Sequence, residues 1–95
     1  MRVMARITIP VAAGNKAVTD GSIGKIIQDA SERWKPEAMY FTTFAAQRTT
    51  YVVFDMPDSS DIPSFAEPFF NGLDAEVEIF PVMNTDDLMR GLAKL

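Results

Sequence analysis

From Arg2 to Pro10 apolar and polar residues alternate, with Val3, Ala5, Ile7 and Ile9 on one parity and Met4, Arg6 and Thr8 on the other. This predicts a strand whose two faces differ in kind. Val11 to Ser22 carries a weaker pattern, with Gly14-Asn15 and Asp20-Gly21-Ser22. It predicts a turn and a weak helical stretch, with Asp20 or Ser22 placed to cap the next helix. Ile23, Ile26, Ile27, Ala30 and Trp34 then recur at helical spacing, one stripe of an amphipathic helix ended by Pro36. Met39 to Met56 breaks every alternation rule. Tyr40, Phe41 and Phe44 to Ala46 on one run, and Tyr51 to Phe54 on the next, put bulk on both faces of a predicted hairpin turning at Gln47-Arg48-Thr49.

Beyond the hairpin, Pro57 to Asp61 has turn and cap chemistry, and Ile62, Phe65, Ala66 and Phe69 repeat at helical spacing. Pro63 fits a helix that starts near Ser59 or Ser60, while Pro68 is expected to kink or end it and Asn71-Gly72 to stop it. Ala75 to Met83 reads as a last strand, with Val77 and Ile79 facing one way and Glu76, Glu78 and Phe80 the other. Thr85, followed by Asp86 and Asp87, is expected to cap a short helix through Leu88, Leu92 and Leu95.

Strand, helix, strand, strand, helix, strand and a helical tail make a single α+β domain over residues 1–95, the ferredoxin-like βαββαβ arrangement. Right-handed crossovers give an antiparallel sheet of order 4-1-3-2 with the main helices on one face. Ile26, Ala30, Trp34, Phe65 and Phe69 cover that face. The other face holds part of Met39 to Ala46 with Tyr51, Val53 and Phe80, an apolar area larger than monomers usually expose. A second copy packed on it would complete a dimeric α/β barrel, with the C-terminal helix bracing the interface.

Length and composition support one core: 95 residues, 47% hydrophobic, with seven Phe, two Tyr, one Trp and six Met. A net charge of -4 without any Lys/Arg run lacks the electrostatic footprint of nucleic-acid binding. The first residues superficially resemble a signal peptide, but Arg6 interrupts the apolar stretch and the alternation is that of a strand. Nothing approaches a membrane span, and the absence of Cys gives no sign of an oxidising compartment, so the cytoplasm is expected.

Several segments carry a resemblance: Gly14-Asn15, Asp20 to Ser22, KPEAMYF from Lys35, RTTYVVFDM from Arg48, DIPSFAEPFF from Asp61 and AEVEIFPVM from Ala75. On these the chain resembles the dimeric α/β-barrel superfamily, and within it a small uncharacterised bacterial family. The superfamily includes cofactor-free monooxygenases, small isomerases and decarboxylases, haem-binding enzymes and proteins without demonstrated activity. Its catalytic members often rely on His, or on an Asn, Trp and His set within the barrel. This chain contains no His, so neither haem ligation by His nor His-based acid–base chemistry carries over. No cofactor and no metal are expected.

Arg6 and Glu78 are the sharpest candidate pair, because the last strand should lie beside the first with both side chains on the uncovered face. In an apolar barrel the pair would hold a carboxylate or an enolate; equally, it would fix strand register as a structural ion pair. Tyr40 and Tyr51 would orient a ligand through their hydroxyls or serve packing. Asp55, at the end of the third strand, is a general base if desolvated and otherwise a solvated strand terminus. Asn15 and Lys16 are expected to share one end of the molecule with Asp58, Ser59 and Ser60, beyond parallel first and third strands, as an anion site or as caps and turns. No metal-ligand spacing, phosphate loop or nucleophile elbow is present. The expected function is a homodimer binding a small organic molecule in its barrel. The alternatives are a cofactor-free isomerase or monooxygenase acting on a small cyclic or aromatic metabolite, and a structural or interaction module with a filled barrel.

Overall fold

The computed structural model describes all 95 residues. Strand β1 (Arg2–Ile9) leads into helices α1 (Val11–Asp20) and α2 (Ser22–Trp34). Strands β2 (Ala38–Phe44) and β3 (Gln47–Asp55) follow, then a 3-10 turn (Ser59–Asp61), helix α3 (Ile62–Leu73), strand β4 (Glu76–Pro81) and helix α4 (Thr85–Leu92). The fold is α+β, with four helices and one antiparallel sheet of order β2-β3-β1-β4. That is the expected 4-1-3-2 read from the other edge. No helix is long and apolar enough to cross a membrane.

The core lies between the sheet and α1 to α3. Val3, Ala5, Ile7 and Ile9 of β1 and Val52 and Phe54 of β3 meet Ala17, Phe65, Phe69 and Leu73, all buried. Trp34 packs from the side, its ring centroid 5.5 Å from that of Phe54 and 5.8 Å from that of Phe65, while Phe54 and Phe65 stack at 4.5 Å. Aromatic groups of this size dominate the area removed from water, so this cluster is the main cohesive element of the fold.

Four local expectations are corrected. Val11–Asp20 is a full helix, because Ala12, Ala13 and Ala17 are strong helix formers and Gly14 and Ala17, both buried, let it lie close to the sheet. A Cβ at Gly14 would stand 2.5 Å from Arg48 Nη1 and 3.3 Å from Ile9 Cγ2. Gly21, at φ 80°, then breaks the chain between α1 and α2, and Asp20 Oδ1 accepts the Ser22 N–H at 2.9 Å.

The hairpin turns at Ala45-Ala46, not at Gln47 to Thr49. Both alanines have positive φ, 52° and 62°, as a two-residue turn with right-handed strand twist requires. Of the two outcomes expected at Pro68, a kink or an end, the end is not found: Pro68 sits inside α3, exposed, where the Ser64 carbonyl it leaves unpaired can be hydrated. The buried side chains of Phe65, Ala66, Phe69 and Leu73 keep the helix in register until Asp74, at φ 51°, closes it. Finally, the cap of α4 is Asn84, not Thr85: its side chain accepts the Asp87 N–H while Asp87 accepts the Asn84 N–H, and Leu95 lies beyond the helix, exposed.

Candidate site on the open sheet face

Register decides which side chains share the uncovered face. Arg6 lies opposite Glu78 on one side and Tyr51 on the other, and Tyr51 lies opposite Tyr40. Glu78, Arg6, Tyr51 and Tyr40 therefore form one row across all four strands. The next row is Phe80, Met4, Val53 and Ala38; the row on the other side is Glu76, Thr8, Thr49 and Thr42. The odd residues of β2 turn to the helical face, where Met39 packs against the core. Tyr40 and Phe44 turn to the open face, both exposed.

Arg6 is the centre of this surface. Its Nη2 donates to both carboxylate oxygens of Glu78 at 2.8 Å and its Nε to one of them at 3.2 Å. The Phe44 ring covers the guanidinium, with Cζ 4.6 Å from the centroid. The hydrogen bonds to Glu78 raise the Arg6 pKa above its ordinary value, and the Tyr51 hydroxyl adds to this, so the cation is permanent. Its side chain is 27% exposed against 52% for Glu78. A fixed guanidinium on an apolar field binds and orients an oxyanion but supplies no proton.

Arg2 points to the same face; sequence reasoning missed it, although its parity with Arg6 places it there. Its Nε donates to Glu37 at 2.6 Å and its Nη1 to Asp87, which also accepts from Arg90. Four charged groups thus tie β1, the start of β2 and α4 together. A cleft of about 930 Å³ opens beneath α4, lined by Arg2, Pro81, Met83, Asp87 and Leu88 among others. None of the Arg6 row lines it.

The remaining expected site residues are scattered. The first and third strands are antiparallel, so Asn15 and Lys16 follow the end of β1 that lies beside Arg48, whereas Asp58, Ser59 and Ser60 follow the opposite end of the sheet. The shared anion site does not exist. Asn15 Oδ1 accepts from Arg48 at 3.1 Å, and Asp58 accepts from the Ser60 N–H at 3.0 Å as part of a capping box. Asp55 is not desolvated: its side chain is 74% exposed and accepts from the Met1 amino group at 2.8 Å. It lies four positions beyond Tyr51, about 13 Å along the strand.

Asp, Glu, His and Cys side chains nowhere gather in threes close enough to hold a metal ion.

No curated protein matches the chain. The model of a family described as a domain of unknown function, DUF3303, matches residues 15–95, which takes in the hairpin, α3, β4 and α4. The chain belongs to the DUF3303 family.

Proposed function

We propose that the chain is a ferredoxin-like unit that packs its open sheet face on a second copy, and that the resulting barrel binds a small organic molecule through the Arg6 row. The observation that carries this reading is the content of that face. A permanent cation, paired with Glu78 and roofed by Phe44, stands beside Tyr51 and Tyr40 among the apolar side chains of Met4, Val53 and Phe80. Open to water these apolar groups are a liability; between two sheets they form a pocket of the usual kind, mostly apolar with a few convergent polar groups.

A ligand with one carboxylate or enolate oxygen and a small apolar body suits this surface, since Arg6 supplies the charge and the tyrosines supply hydroxyls. Bidentate pairing with Glu78 favours a second reading, in which the ion pair only fixes register and side chains fill the barrel. Native mass spectrometry on freshly purified protein separates them. The expected result is an assembly of an even number of 10.5 kDa chains carrying extra mass, which Arg6→Gln or Tyr51→Phe releases. Val53→Glu, placing a charge at the centre of the face, should halve the number of chains while circular dichroism stays unchanged. Assemblies without extra mass favour the filled barrel; a monomer at micromolar concentration, or an assembly indifferent to Val53→Glu, overturns the packing.

A further inference from the structure

The two edges of the sheet are treated differently by the sequence. On β4 the outer edge is blunted: Glu76 and Glu78 flank it, and Pro81 at its end has no N–H to offer. On β2 nothing blunts the edge. Ala38 to Ala46 contains no charged residue and no Pro, and Tyr40 and Phe41 are 70% and 57% exposed along it. We infer that the β2 edge pairs with the β2 edge of a second copy, antiparallel about a two-fold axis at Phe41, joining two four-stranded sheets into one of eight strands.

The hydrogen-bonding phase of the strand fits this partner. The two-residue turn makes Phe44 and Gln47 a hydrogen-bonded pair, so Phe44, Thr42, Tyr40 and Ala38 bond inward to β3. Met39, Phe41 and Thr43 consequently aim their N–H and C=O groups outward. A two-fold axis at Phe41 sets Phe41 against its own copy and Met39 against the partner copy's residue equivalent to Thr43. Each outward N–H then meets an outward C=O.

Charge selects the same occupant. The chain carries a net charge of -4, so copies repel over most of their surface. Self-pairing of β2 opposes no two charges, whereas any pairing through β4 brings Glu76 and Glu78 to the contact. An extended strand can satisfy the whole row of main-chain groups in place of water, and this one is complementary to itself. The contact uses the edge and leaves the Arg6 face free, so it stands independently of the proposed barrel. With both contacts made and their two-fold axes perpendicular and intersecting, the assembly closes at four chains.

Amide hydrogen exchange on the wild-type protein reads the pairing directly. The amides of Met39, Phe41 and Thr43 should exchange at least about tenfold more slowly than those of an open strand edge, and lose this protection on dilution. Phe41→Lys sets two lysines face to face at the axis, and Thr43→Pro removes one outward N–H without touching the inward ladder; each should halve the mass of the assembly. Val53→Glu, by contrast, should leave the three amides protected. Rapid exchange of all three at millimolar protein, or protection that persists unchanged on dilution in a monomer, overturns the inference. An assembly mass indifferent to both edge variants overturns it as well.

Discussion

Single carboxylates at element termini carry much of what can be measured residue by residue. Asp58 has a pKa below the ordinary carboxylate range because the Ser60 hydroxyl and Ser60 N–H donate to it. Asp87 is lowered first by the Asn84 N–H and further by Arg90 and Arg2, and Asp20 by Ser22. In each case the folded-state value lies below the unfolded one. The ionised forms therefore stabilise the fold above the unfolded carboxylate value, near pH 4, and the contribution is lost as pH falls through the lower folded-state values. Thermal melting should show a midpoint that is level above about pH 5 and falls in acid below about pH 4. Asp58→Asn and Asp87→Asn should each lower the level part and flatten the fall; an acid limb as steep as that of the wild type would refute the assignment to these groups.

Among the elements, the hairpin is the one whose local chemistry is least suited to its conformation. Ala45 and Ala46 both hold positive φ, a region costing a residue with a Cβ about 1 kcal/mol or more. The turn persists because the β2–β3 register and the stripe facing the core leave no other connection of two residues. Replacing Ala45-Ala46 by Asn-Gly should raise stability by roughly 1 kcal/mol, visible as a higher urea midpoint at unchanged slope. A lower midpoint would show that the alanine methyl groups make contacts worth more than the relieved strain. The helices follow a similar logic. Pro68 inside α3 would cost an isolated helix about 3 kcal/mol, yet the four buried side chains of the same helix outweigh it.

Shape is the evidence at the scale of the whole molecule. The radius of gyration is 14.7 Å and the longest extent 51 Å, where a compact chain of this length has a radius near about 12 Å. Helix α4 buries no residue, and Leu88, Met89 and Leu92 on its apolar stripe are 43%, 59% and 49% exposed. Eight residues are too few for a helix to be stable alone in water. Charged contacts from Arg2 and Arg90 to Asp87 pin its first turn while its apolar side stays uncovered. If this side braces the proposed sheet-face dimer, Leu88→Asp with Leu92→Asp should raise its dissociation constant at least about tenfold, the effect of losing roughly 1.4 kcal/mol. Sedimentation equilibrium would show it; an unchanged constant would place α4 outside the contact.

Much of this architecture was legible in the sequence. The period-2 run of β1, the helical stripe ending at Trp34 and the spacing of Phe65, Ala66 and Phe69 report burial on one side, and burial on one side is what alternation encodes. Element order with right-handed crossovers then yielded the strand order, and the parity of Arg6 and Glu78 put them together. Small residues hid α1, since Gly14 and Ala17 pack closely without reading as an apolar stripe. The turn at Ala45-Ala46 was hidden because alanine carries no turn signal of its own. The antiparallel direction of β1 and β3 that parts Asn15 from Asp58 already follows from an antiparallel sheet of order 4-1-3-2, with which parallel first and third strands are incompatible. Parity within β2 and the exposure of Asp55 were decided only by tertiary structure. Each depends on which strand lies alongside and in which direction, and long-range pairing leaves no periodic trace in the chain that makes it.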